Sequence, residues 1–567
     1  MALLLHKTLA VHYVSIQSLC RRTRVVLLFI TVLLTACSDD KKPNQSYVAF
    51  SEKQVTIPAS SGELTVMVQW EATAWEIVMD TDNGIISGIS QTTGGDKKDQ
   101  TEYARIKFGY NANTTGDPRT QEVFLVNKTS EERSKLVIEQ ESDYTPIIAT
   151  VNKSVKYQPV VGFGGMYNVK IWLAANNMIT NDEIDKMYDP NQLGYNILRL
   201  MIYPRETDWA ADVQGAKRAQ QQHGAIVFAC PWDCTDAFAE TITVNGKSYK
   251  HLKPERYQDY ANHLVKYINY MRDNGVNLYA VSVQNEPDAE FTYWRPNEVL
   301  SFIKTYGDQI RATGVRLMSP EAIGMSPEYT DPVLNDPVAF EKTDIVAGHL
   351  YQGFVNVGES SYVKNRHDYI CSLYNSKLAG AGKTWWMTEH LFNDGEKETN
   401  PALWQFQKWS YNMEKLAQEI HCCMADGYCS AYIYWYLKRF YGMIGDNDQK
   451  SLVKQGEIAK NGYILSHYAK YASNTVRIKV DTNDPEIRAT AYINNDETEI
   501  TLVFLNMKNQ AYKVRINASV ALSNVSAEET TESVNMEAAT ALITDDGNSA
   551  IVLLSPSSIV SVRMGLR

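Results

Sequence analysis

The sequence predicts a multidomain chain built on a (β/α)8 barrel with an attached side β-sandwich, and with a further β-sandwich ahead of the barrel. Three observations predict it. Between about 158 and 470, eight apolar runs of strand length alternate with amphipathic helical patterns. Residues 46–142 and 471–567 show period-two alternation interrupted by Gly, Asn and Asp turns instead. Two of the apolar runs lead into a carboxylate, Glu286 and Glu389. The C-terminal strand ends are where a barrel of this kind keeps its chemistry.

The N-terminus reads as an address. Arg21, Arg22 and Arg24 precede a twelve-residue apolar run that closes on Leu-Thr-Ala-Cys at 34–37. The run is short for a membrane span and fits the apolar region of a signal peptide. The closing tetrapeptide resembles a bacterial lipobox, which implies that 1–37 is a lipoprotein signal peptide and lipobox, with Cys37 lipidated and becoming the mature N-terminus. Ser38-Asp39-Asp40 resembles the acidic tether of surface-exposed lipoproteins of Bacteroidetes. With 38–45 as tether, the expectation is an outer-membrane lipoprotein exposed at the cell surface, anchored rather than spanning.

The 46–142 segment contains short alternating runs near 54–57, 64–70, 75–79, 104–108, 122–126 and 135–140, the pattern of a β-sandwich. Trp70 and Trp75, the Asn111 to Arg119 stretch and the closing Ile-Glu-Gln at 138–140 resemble a BACON domain, which implies an immunoglobulin-like fold. A spacer role is favoured over glycan binding, and both Trp are expected in the core.

The eight barrel strands are read at 161–165, 196–203, 225–231, 278–284, 315–320, 345–351, 384–388 and 430–436. Helical spacing is clearest in 255–274, through Tyr257, Tyr260, Ala261, Leu264, Tyr267, Ile268 and Met271, and in 297–313, with Gly275 and Gly314 as stop signals. After the barrel, 471–567 reads as a second sandwich, to which 143–157 is expected to add a strand.

Composition narrows the chemistry. A net charge of −11 argues against nucleic-acid partners. The 34 Tyr and 11 Trp are enough to supply sugar platforms as well as core. Of the eight cysteines, none shows Cys-x-x-Cys or zinc-type spacing, so no metal or cofactor is called for. Cys230 and Cys234 are read either as a local disulfide or as buried thiols.

Two carboxylates facing each other across a barrel mouth are the equipment of glycoside hydrolysis. The ordered motifs Gly-Phe-Gly-Gly at 162–165, Asn-Ile-Leu-Arg-Leu at 196–200, Pro231-Trp232, Gln-Asn-Glu-Pro-Asp at 284–288, Gly-His-Leu-Tyr at 348–351 and Trp-Met-Thr-Glu at 386–389 resemble glycoside hydrolase family 30. The block at 435–442, Trp-Tyr-Leu-Lys-Arg-Phe-Tyr-Gly, with Lys-Asn-Gly-Tyr at 460–463, is closest to its glucuronoxylanase branch. The resemblance spans about 145–567. It implies a retaining endo-β-1,4-xylanase acting on glucuronoxylan, with Glu286 as acid/base and Glu389 as nucleophile.

The same resemblance and the chemistry assign further roles. Asn285 is expected to bond the sugar 2-hydroxyl, and Arg199 to keep Glu389 ionised. Tyr351 is a donor to the nucleophile, and His349 is read as a supporting hydrogen bonder or a satisfied core histidine. Trp232 and Trp435 are candidate sugar platforms against a core-packing alternative. Arg439, with Tyr441 nearby and Lys438 as the neighbouring candidate, is expected to bind the glucuronate carboxylate, for which a guanidinium fork is suited.

Two departures bear on the side group. The sequence after Glu389 is His-Leu-Phe-Asn-Asp-Gly, lacking the Tyr and Ser of the branch, and Asp-Cys-Thr-Asp-Ala-Phe follows Trp232 where a Pro-rich stretch and second Trp are usual. The alternatives are therefore a family 30 endo-β-1,6-glucanase, a glucuronate-independent xylanase, and a non-catalytic surface glycan-binding lipoprotein. A monomer is expected.

Overall fold

A computed structural model describes residues 46–113, 118–142, 147–170, 178–289, 291–355, 360–393, 408–544 and 547–567. Cys37 and the lipobox lie outside them. Contacts divide the chain into two compact units, Met1–Tyr144 and Thr145–Arg567.

The first unit contains a four-stranded and a five-stranded sheet. Alternation fills the space between the sheets. Val66, Val68, Ile106 and Phe108 come from one, and Val123, Leu125, Leu136 and Ile138 from the other, all buried. Trp70 and Trp75 lie in this core with ring centroids 5.9 Å apart. Gln140 accepts from Arg119 Nη2 at 2.7 Å and donates to the Asn111 carbonyl at 2.7 Å.

In the second unit, eight parallel strands close into a barrel: β1 (Gly162–Met166), β2 (Ile197–Ile202), β3 (Ile226–Pro231), β4 (Leu278–Ser282), β5 (Arg316–Ala322), β6 (Ile345–His349), β7 (Thr384–Glu389) and β8 (Ala431–Tyr434). Each begins and ends within a few residues of its sequence-based run. Ile197, Phe228, Ala280, Met318, Ile345, Trp386 and Ile433 plug the interior. The helices Tyr257–Asp273 and Pro296–Arg311 bury the stripe that helical spacing assigns to them, with Gly275 and Gly314 at positive φ just beyond.

The strand Ile147–Val160 pairs antiparallel with Thr475–Thr482 and parallel with Tyr512–Asn517, so chain from both sides of the barrel builds one β-region. The Lys460–Ala472 helix joins that region to the barrel. Its buried His467 bonds Ser561 Oγ at 2.6 Å and Thr530 Oγ1 at 2.9 Å. Tyr492, Val503, Leu505 and Ile559 belong to the same apolar cluster as the barrel's outer face, making the support continuous.

Candidate active site

Strand alternation and two register shifts aim the polar groups of the barrel mouth. On β2, Arg199 follows Ile197 by two residues and shares its inward face. The pairing of β5 with β6 shifts between Pro320 and Ala322, leaving Glu321 as the extra residue at φ 63°. The pairing of β6 with β7 shifts at Gly348/His349, setting His349 opposite Glu389. Such bulges turn side chains that a regular ladder would point elsewhere.

Glu286 lies four residues beyond β4, at φ 41°, a left-handed conformation that a non-glycine residue rarely adopts. Backbone bonds pin it. Asn285 N donates to the Pro231 carbonyl at 2.8 Å and Glu286 N to the Glu321 carbonyl at 3.0 Å.

The side chains form one network. Arg199 Nη1 donates to Glu389 Oε2 at 2.5 Å, and Nη2 to Asn285 Oδ1 at 2.6 Å. With its oxygen so held, Asn285 presents Nδ2, which has no partner among the described residues. Tyr351 donates to Glu389 Oε1 at 2.9 Å. His349 bonds Glu286 Oε1 through Nδ1 at 3.0 Å and Glu321 Oε2 through Nε2 at 3.1 Å. One oxygen each of Glu286 and Glu389 and a ring nitrogen of His349 lie within 4.8 Å of one another.

Glu321 was not singled out by sequence reasoning, which ended the fifth strand at Pro320. It is fully buried and satisfied by Ser282 Oγ at 2.5 Å, Thr388 Oγ1 and His349, with Arg199 Nη2 at 3.7 Å. Burial opposes its ionisation, but Arg199 and His349 overcome this and hold it at about 2. Burial would lower His349, yet the charges of Glu389, Glu286 and Glu321 lift it to about 9. Burial pushes the Glu389 carboxyl up, the pull of His349 and Arg199 opposes this, and the balance remains upward.

The network opens into a cleft of about 710 Å³, whose walls include Trp232, Phe291, Tyr351, Phe392 and Trp435. Trp232 and Trp435 tilt against each other at 5.7 Å, only 1% and 7% exposed, and Arg199 lies 4.6 Å over the Trp232 ring.

The strand-eight cations lie elsewhere. Lys438, the neighbouring candidate for the acidic side group, is buried and committed to Glu183 at 2.8 Å and the Met178 carbonyl at 2.8 Å, so that reading is withdrawn. Arg439 and Tyr441 line a separate small recess with Asn412, Phe440 and Leu452. Cys230 and Cys234 are buried free thiols, which decides the open choice between disulfide and thiol.

A parallel barrel carrying paired carboxylates at the ends of its fourth and seventh strands defines a glycoside hydrolase site. The chain belongs to glycosyl hydrolase family 30: that family's TIM-barrel domain matches residues 169–386. It is 36% identical over 407 residues to the Glucuronoxylanase XynC of Bacillus subtilis, covering 70% of this chain and 87% of that one. Among solved structures it resembles a family 30 endoxylanase from Clostridium papyrosolvens, at 29% identity and TM-score 0.61, over 74% of this chain and 100% of that one. A family 30 subfamily 8 xylanase from Clostridium acetobutylicum matches at 27% identity and TM-score 0.59, over 74% and 99% of the two chains.

Proposed function

We propose that this protein is a retaining endo-β-1,4-xylanase whose preferred substrate is glucuronoxylan. The observation that carries the reading is the approach of Glu286 and Glu389 to within 4.8 Å at their closest oxygens. That spacing suits direct attack, whereas an inverting pair stands about 6.5–9.5 Å apart to admit a water.

Glu389 attacks the anomeric carbon. Arg199 and Tyr351 hold one oxygen each, so the carboxylate is oriented before substrate arrives. Glu286 protonates the departing glycosidic oxygen and then takes a proton from the water that releases the glycosyl-enzyme. Asn285 Nδ2 donates to the sugar 2-hydroxyl, a bond that strengthens as oxocarbenium character develops.

The similarity to glucuronoxylanases supports recognition of a glucuronate branch, and Arg439 with Tyr441 remains its candidate pocket. The sequence after Glu389 favours a second reading, a xylanase indifferent to glucuronate. The N-terminal β-unit is read as an immunoglobulin-like, BACON-like spacer, and Cys37 as the lipid anchor of a cell-surface lipoprotein.

Digestion of glucuronoxylan, linear xylan and β-1,6-glucan, with products weighed by mass spectrometry, tests the assignment. Acidic xylo-oligosaccharides with one glucuronate at a fixed position are expected. Equal cutting of linear xylan selects the second reading, and cutting of β-1,6-glucan alone overturns both.

A further inference from the structure

The cleft wall next to the nucleophile carries a hydrogen-bonded pair that the hydrolytic steps leave unused. His390 directly follows Glu389, and Glu419 comes from the helix Gln418–Ala425. His390 Nδ1 lies 2.7 and 2.8 Å from the two oxygens of Glu419. Tyr432 donates to the same carboxylate at 2.8 Å. Both members of the pair are largely buried, yet both line the cleft.

The imidazole is fixed on every other side. Its ring meets Tyr351 edge-on at 4.9 Å and Phe392 at 4.6 Å, and its carbonyl accepts from Trp435 N at 2.9 Å. Tyr351 is the residue that bonds the nucleophile, so the ring stands one residue's width from the reacting centre. An ionised carboxylate only accepts, which places a proton on Nδ1. Among the described residues no protein group bonds Nε2. A ring nitrogen lacking a partner, on a largely buried residue in the wall of a sugar cleft, is a group waiting for a hydroxyl.

We propose that His390 is a substrate-binding residue and Glu419 its positioning residue. Glu419 holds the Nδ1–H form, and Nε2 accepts a hydrogen bond from a hydroxyl of the xylose unit lying against Tyr351. This deepens the xylanase reading and rests on it.

The test uses the full chain carrying Glu286→Gln, so that ligand survives, with affinity for glucuronate-bearing and plain xylohexaose measured by calorimetry. His390→Phe keeps the ring and removes the acceptor, and binding should weaken about 5- to 10-fold. His390→Gln, which sets an amide oxygen near the Nε2 position, should recover most of that loss. Glu419→Gln should weaken binding less, and combining it with His390→Phe should cost no more than His390→Phe alone, because one residue acts through the other. Unchanged affinity in a folded His390→Phe protein, or a folded His390→Gln protein that binds no better than His390→Phe, overturns the contact, and additive losses overturn the positioning role. A parent that binds neither oligosaccharide overturns the xylan reading itself and the inference with it.

Discussion

Glu321 and Glu286 are joined through one imidazole: His349 bonds the former with Nε2 at 3.1 Å and the latter with Nδ1 at 3.0 Å. The acid/base candidate is thus oriented by a ring that a third, fully buried carboxylate anchors. Removing that anchor's charge by Glu321→Gln leaves Arg199 and His349 without their shared counter-charge. The expected outcome is a fall in kcat of about 100-fold with little change in KM, since the loss is in alignment rather than in sugar contact. Steady-state kinetics on glucuronoxylan checks it.

The same residues set a stability window. The folded Glu321 value of about 2 lies below its ordinary 4.5, so its stabilisation is complete above 4.5 and is lost as pH falls toward 2. His349 at about 9 lies above its ordinary 6.5, so its contribution is complete below 6.5 and is lost as pH rises through 9. For this pair, stability should be highest between about 4.5 and 6.5. Melting temperature measured across pH for wild type and Glu321→Gln should show the acid-side slope shrinking in the variant.

How much of this was legible depends on how burial writes itself into sequence. Parallel strands covered on both faces are continuous apolar runs, and all eight could be counted. Glu286 and Glu389 stood out because each closes such a run. Glu321 obeys the same logic, but Ser-Pro-Glu-Ala resembles a turn, and the bulge that admits it is a matter of register that spacing does not record. Of the adjacent cations Lys438 and Arg439, the guanidinium was preferred for its fork, but neither residue type records burial. Which one is buried follows from Glu183, 255 residues earlier in the chain, coming within 2.8 Å of Lys438. His390 was passed over as the neighbour of a stronger signal.

The nucleophile's upward shift has a kinetic signature. Glu389 must be ionised to attack, and burial raises it above the ordinary glutamate range of about 4.5. The acidic limb of kcat/KM should therefore fall above that value as pH is lowered. Tyr351→Phe removes the donor to Oε1 and should reduce kcat/KM about 10-fold while moving this limb to higher pH. A pH–rate profile of the two proteins measures both.

The roles of the two carboxylates separate by leaving group. Without a general acid, Glu286→Gln should lose about 100- to 10,000-fold on xylan, whose leaving alcohol needs a proton. An aryl xylobioside with a nitrophenolate leaving group does not, so glycosyl-enzyme formation should persist and product release become limiting. Azide, which attacks the intermediate without base help, should then restore turnover and yield a β-glycosyl azide, the retained configuration. Glu389→Gln should be inactive on both substrates and gain nothing from azide at the same face. Rescue of Glu389→Gln with a retained β-glycosyl azide product, and no such product from Glu286→Gln, would require exchanging the two assignments. That exchange is opposed by Arg199 and Tyr351, which hold the two oxygens of Glu389 and leave Glu286 to an imidazole.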